Sequence, residues 1–134
     1  MGAWGEGSLQ NDAALDWVME LKAEGVAAVR EALSTVASYS LDDYLDVDDG
    51  NRAIAAAEVV AAAFGPHDRV KLPFAAWLKA HGKALTEDDK QLACKAVQRV
   101  LAKNSELRGL WDDYGDDSPW HQGVDDLLSR LADR

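Results

Sequence analysis

Apolar residues recur at three- and four-residue steps along most of the chain, most clearly in TEDDKQLACKAVQRVLAKNSELRGLWDDY, residues 86–114. Leu92, Ala93, Ala96, Val97, Val100 and Leu101 mark one buried helical face. Thr86 carries the hydroxyl an N-cap needs, and Asp89 stands three residues on, as in a capping box with Asp replacing the usual Glu or Gln. Glu87, Asp88 and Asp89 put negative charge in the first turn, where the helix dipole favours it. The pattern predicts a helix over 87–103, roughly 25 Å long at 1.5 Å per residue. Asn104 or Ser105 then interrupts it and caps a second helix bearing Leu107, Leu110, Trp111 and Tyr114.

The same periodicity predicts further helices on either side of this pair. Residues 1–10 are glycine-rich and read as coil packed on the domain. Asn11 or Asp12 then caps a first helix whose apolar side is Ala14, Leu15, Trp17, Val18 and Leu21. Glu24-Gly25 breaks it, and a second helix turns Val26, Val29, Leu33, Val36 and Ala37 inward. The acidic stretch SLDDYLDVDDG reads as a connection. After it comes an alanine-rich helix from about Asn51 to Phe64, with Ile54, Ala57, Ala61 and Phe64 on one stripe, ended by Gly65-Pro66. A short helix follows Pro73 and stops at Gly82, and Ser118-Pro119 opens a last one with Trp120, Val124, Leu127, Leu128 and Leu131 facing in. No period-two strand pattern and no repeat of solenoid length is evident. The expectation is an all-α fold, a single compact domain over 1–134 with six or seven short helices around one core.

Composition narrows the function classes. At 48% hydrophobic residues the 134-residue chain can bury a core, so wholesale disorder is excluded. The formal net charge of −10 argues against nucleic acid and anionic membrane surfaces, both of which need clustered Lys or Arg, and leaves a basic protein partner open. One cysteine, Cys94, allows neither an internal disulfide nor a multi-cysteine metal site. The opening residues contain no secretory h-region and no window reaches the ~18 apolar residues of a membrane span, so a cytoplasmic location is expected.

The run Ala3-Trp4-Gly5-Glu6-Gly7-Ser8-Leu9-Gln10-Asn11-Asp12, with Ala14-Leu15-Asp16-Trp17 after it, is not a generic helix start. It resembles the opening of a bacterial family of small proteins, domain-of-unknown-function family 4259, which begins Met-Gly-x-Trp-Gly-x-Gly, then an aromatic, then Asn-Asp and an alanine-rich helix. Leu9 stands here where that pattern has an aromatic. The later block Val100-Leu101-Ala102-Lys103-Asn104-Ser105-Glu106-Leu107 with Leu110-Trp111 is similar to the family's second recognisable segment. The resemblance implies no reaction, ligand or catalytic residue.

Candidate chemistry is sparse. Trp4, Gly5, Gly7, Asn11, Asp12 and Trp17 read as a structural motif, the ring docked in the core and the glycines permitting close backbone approach; a ligand-contacting loop is the alternative. Gly5-x-Gly7 lacks the third glycine and the preceding strand of a dinucleotide fingerprint. Asp42, Asp43, Asp46, Asp48 and Asp49 fail the EF-hand test: with Gly50 at the invariant glycine, Leu45 and Val47 fall at ligand positions and Ala56 at the closing glutamate. His67, His81 and His121 have no helical metal-binding spacing, Cys94 reads as a small buried residue, and no serine lies in a nucleophile elbow. No cofactor is expected.

These residues favour a protein-interaction module without catalysis, of the immunity- or inhibitor-protein kind, with a basic protein as partner. Its candidate surface mixes aromatic anchors with carboxylates: Tyr44, Asp46, Asp48, Asp112, Asp113, Tyr114, Asp116 and Asp117. One alternative is a small-molecule or metal-ion site, or an enzyme, built from Glu58, the histidines and the acidic loops. The other is self-association through the alanine-rich face of residues 53–63, and a monomer or small homo-oligomer fits the chain.

Overall fold

The computed structural model describes residues 12–64, 75–112 and 119–132. Within them lie seven α-helices: α1 (Asp12–Glu24), α2 (Val26–Ala37), α3 (Val47–Phe64), α4 (Ala75–His81), α5 (Glu87–Leu101), α6 (Glu106–Asp112) and α7 (Pro119–Ala132). A 3₁₀ turn, Gly82–Ala84, joins α4 to the approach of α5. The only β pairing among the described residues is an isolated parallel bridge between Leu45 and Ser105.

The helix at the centre is α3, not α5. Gly50, Asn51, Ala53, Ile54, Ala55, Ala56, Ala57, Val59, Val60 and Ala61 are all buried, so α3 hides several faces rather than a stripe. It contacts each of the other six helices. Small side chains make this possible, because alanine and glycine let neighbouring backbones approach. A Cβ added at Gly50 would stand 3.3 Å from Leu107 Cβ, which is how closely α6 lies on α3. The alanine-rich face is therefore covered within the chain, and Ala53, Ala55, Ala56 and Ala57 are wholly inaccessible. Residues 53–57 and 59–61 of the stretch expected to self-associate are thus buried within the chain, and Ala62 and Ala63 are half-buried.

The capping box predicted for α5 is present and reaches further than predicted. Thr86 Oγ1 accepts from the Asp89 N–H at 3.4 Å, and Asp89 Oδ2 accepts from the Thr86 N–H at 2.9 Å. The same carboxylate receives Arg30 of α2 in a fork, Nε to Oδ1 at 2.8 Å and Nη2 to Oδ2 at 3.1 Å. Arg30 holds the buried Asp89 carboxyl below the ordinary carboxylate range, burial opposing and the Thr86 bonds assisting. Elsewhere, Arg130 of α7 bonds Glu58 of α3 and Asp126 on its own helix, each at 2.9 Å. Trp17 of α1 is 2% exposed and its indole N–H donates to the Ala28 carbonyl of α2 at 3.2 Å. Gly25, between α1 and α2, takes φ +69° and ψ −141°, a conformation closed to side-chain-bearing residues.

Several expected inward residues face out. Leu15, Phe64 and Leu110 are 36%, 42% and 45% exposed. Phe64 and Leu110 lie in the last turns of their helices, beyond the part that the core covers. α5 ends at Leu101 rather than at residue 103. No helix among the described residues is long and apolar enough to cross a membrane.

Candidate functional site

The acidic connection is where sequence and structure differ most. Helix α3 begins at Val47, four residues earlier than the periodicity predicts, because the aspartates there start a helix instead of delaying one. Asp46 is its cap: Oδ1 accepts from the Asp49 N–H at 3.1 Å, and the Asp46 carbonyl accepts from the Gly50 N–H. A second carboxylate comes from α6, where Glu106 Oε1 accepts from the Val47 N–H at 2.9 Å. Asp48 and Asp49 occupy the first turn, where the dipole favours them. Partial desolvation of its carboxyl, with the nearby charges of Asp49 and Asp48, raises Asp46 above the usual aspartate range; the Asp49 N–H opposes this.

What remains as loop is residues 38–46, and its backbone is held at several points. Arg99 of α5, 6% exposed, lies beneath it. Nη2 donates to the carbonyls of Asp43 at 2.7 Å and Ser40 at 3.1 Å, and more weakly to that of Asn104 at 3.5 Å; Nη1 donates to the Lys103 carbonyl at 3.1 Å. The guanidinium sits 6.0 Å from the Tyr39 ring centroid. Its partners are thus main-chain oxygens, and Nε, buried, has no acceptor among the described residues. Asn104, at φ +61°, donates from Nδ2 to the Leu41 carbonyl at 2.7 Å. Leu45, fully buried, closes the loop: its N–H donates to the Asn104 carbonyl at 2.8 Å and its carbonyl accepts from the Glu106 N–H at 2.9 Å. Tyr39 donates from its hydroxyl to Asp49 Oδ2 at 2.9 Å. That bond, then burial and the charges of Asp49, Asp46 and Asp43, raise the phenol above its ordinary range.

The side chains between these anchors point to water. Leu41 is 52% and Tyr44 62% exposed, and Asp42, Asp43, Asp46 and Asp48 around them are exposed too. Tyr44, Asp46 and Asp48 of the expected surface therefore share one short segment, although Asp46 also caps α3. Asp112 is the last residue of α6, whereas Asp113, Tyr114, Asp116 and Asp117 lie outside the described residues. Of the N-terminal motif, Asp12 opens α1 and Trp17 is buried; Trp4, Gly5, Gly7 and Asn11 lie outside the described residues, as does His67.

Arg99 and Asn104 escaped the reading of the sequence. Arg99 falls in the polar part of the α5 pattern, and no spacing rule marks a cation that bonds carbonyls more than fifty residues away. Asn104 stood out as a helix interruption and an alternative cap of the second helix, and asparagine tolerates the left-handed backbone it adopts there. Ser105 is the α6 cap, its Oγ accepting from the Arg108 N–H at 3.4 Å.

Beside the loop, a groove of about 240 Å³ runs between α1, α2 and the first turns of α3. Trp17, Ala28 and Ala32 contribute to its walls, along with Glu20, Glu24, Glu31, Asp49 and Arg52. Arg52 bonds Asp49 at 3.2 Å. Among the described residues no group of three or more His, Cys, Asp or Glu is placed to hold a metal ion. His81 is exposed beside Trp77, ring centroids 5.5 Å apart, and His121 is buried edge-on to Trp120 at 5.0 Å. Cys94 is half-buried, and burial raises its thiol against the pull of Lys90.

Six helices around a buried alanine-rich seventh, with one acidic loop pinned to the surface, define a small all-α domain among the described residues. The chain belongs to the family described as Domain of unknown function (DUF4259), which it matches over residues 2–123. This is the family that the opening run and the 100–111 block resemble. No curated protein and no solved structure matches the chain.

Proposed function

We propose that this domain is a protein-interaction module without catalysis, and that it engages a basic partner through the loop of residues 40–48, as an immunity or inhibitor protein does. The observation carrying the proposal is Tyr44, 62% exposed beside Leu41 and four exposed aspartates on a loop whose backbone is already held. Such a loop loses little conformational entropy on binding. A tyrosine is a favoured anchor at interface centres, and the carboxylates steer a cationic partner and reject an anionic one. The net charge of −10 extends this preference over the whole molecule.

The test is affinity capture from native lysate with the wild-type domain and Tyr44→Ala as parallel baits, at low and high salt. The reading predicts a basic protein retained by wild type, released by salt and reduced at least tenfold by Tyr44→Ala. Equal recovery on both baits refutes the assignment of the loop.

A second reading rests on the groove lined by Glu20, Glu24, Glu31, Asp49 and Arg52, which suits a small cationic molecule. Titration with a polyamine, followed by amide shifts, separates the two. Saturable changes confined to residues lining the groove favour the small-molecule reading, and their absence removes it.

A further inference from the structure

We draw no further inference here: the strongest candidate, the groove between α1, α2 and the start of α3 with Glu20, Glu24, Glu31 and Asp49 on its walls, is an acidic cluster at which no buried unpartnered group or bound species points to a ligand beyond the reading already given.

Discussion

Replacing Arg99 with Met tests whether one buried cation holds the candidate surface in shape. Methionine keeps much of the aliphatic volume and removes every donor, so the carbonyls of Ser40, Asp43, Lys103 and Asn104 lose the guanidinium together, while those of Ser40 and Asn104 keep the N–H groups of Asp43 and Leu45. A hydrogen bond to a charged group nets roughly 1.5–3 kcal/mol, and three of these are 3.1 Å or shorter. Simple addition overstates the loss. The guanidinium is desolvated against carbonyls alone, and burying a charge costs about several kcal/mol that the variant no longer bears. Ser40 and Asp43 are exposed residues, so water can take over at their carbonyls. The expected net destabilisation is about 1–3 kcal/mol. With about 2.1 cal/mol/K of unfolding entropy per residue over 134 residues, a loss of about 2 kcal/mol lowers the midpoint by about 7 °C. The local effect separates this account from generic core damage. Amide exchange at Asp43 and Leu45 should accelerate roughly tenfold more than exchange within α3, equivalent to about 1.4 kcal/mol of extra local opening. Arg99→Lys keeps the charge but not the planar fork, and should recover less than half of the protection. Urea denaturation and hydrogen exchange supply both readouts. A midpoint change under about 0.5 kcal/mol, with exchange in the loop unaltered, would refute the pinning role.

Asp89→Asn removes the charge that joins the α5 cap to Arg30, and an expected loss of about 1–2 kcal/mol at pH 7 follows, discounted because the Arg30 side chain is half exposed. Because the folded-state pKa of Asp89 is depressed, this stability is complete above the unfolded value of about 3.9 and disappears as pH falls through the folded value. Urea titrations at pH 7 and pH 3 should therefore show the gap between wild type and variant closing in acid; a gap that widens refutes the linkage. Gly25→Ala forces a side chain into φ +69°, and calorimetry should register a loss of about 1–3 kcal/mol although the added Cβ has open space. Trp17→Phe removes the indole bond to the Ala28 carbonyl, and about 1–2 kcal/mol of stability with it, measured by the same denaturation.

Helix existence was legible in this chain because amphipathic spacing and capping residues are local properties. Thr86 with Asp89, Gly25 and Pro119 each mark a boundary that the structure places within a residue of expectation. The centre of the fold was not legible in the same way. A helix such as α3, buried on several faces, has no strong stripe, and periodicity ranks it below α5 although α3 is the more enclosed. The start of α3 was missed for a related reason. Asp46, Asp48 and Asp49 have the composition of a solvated loop, and only the Asp46–Asp49 spacing hints at a cap. Glu106, the other carboxylate at that terminus, is 59 residues away, and no local rule joins it to Val47.

The same long-range contacts explain why the candidate surface is made of so few residues. Carboxylates read as one exposed acidic patch divide into two roles once the chain folds. Asp46 and Asp49 serve the N-terminus of α3, with Asp49 also holding Tyr39 and Arg52, so they are not free to answer a partner without loosening the helix start. The carboxylates of Asp42, Asp43 and Asp48 are exposed and make no hydrogen bond or ion pair among the described residues, so they can respond to an approaching cation. A partner that pairs with these three and covers Tyr44 leaves the cap intact. Substitution of Asp42 and Asp43 by Asn should therefore weaken capture and its salt dependence with little change in thermal midpoint, whereas Asp46→Asn should lower the midpoint as well. If all three variants behave alike, the division between capping and binding carboxylates is wrong, and the acidic segment acts through its total charge alone.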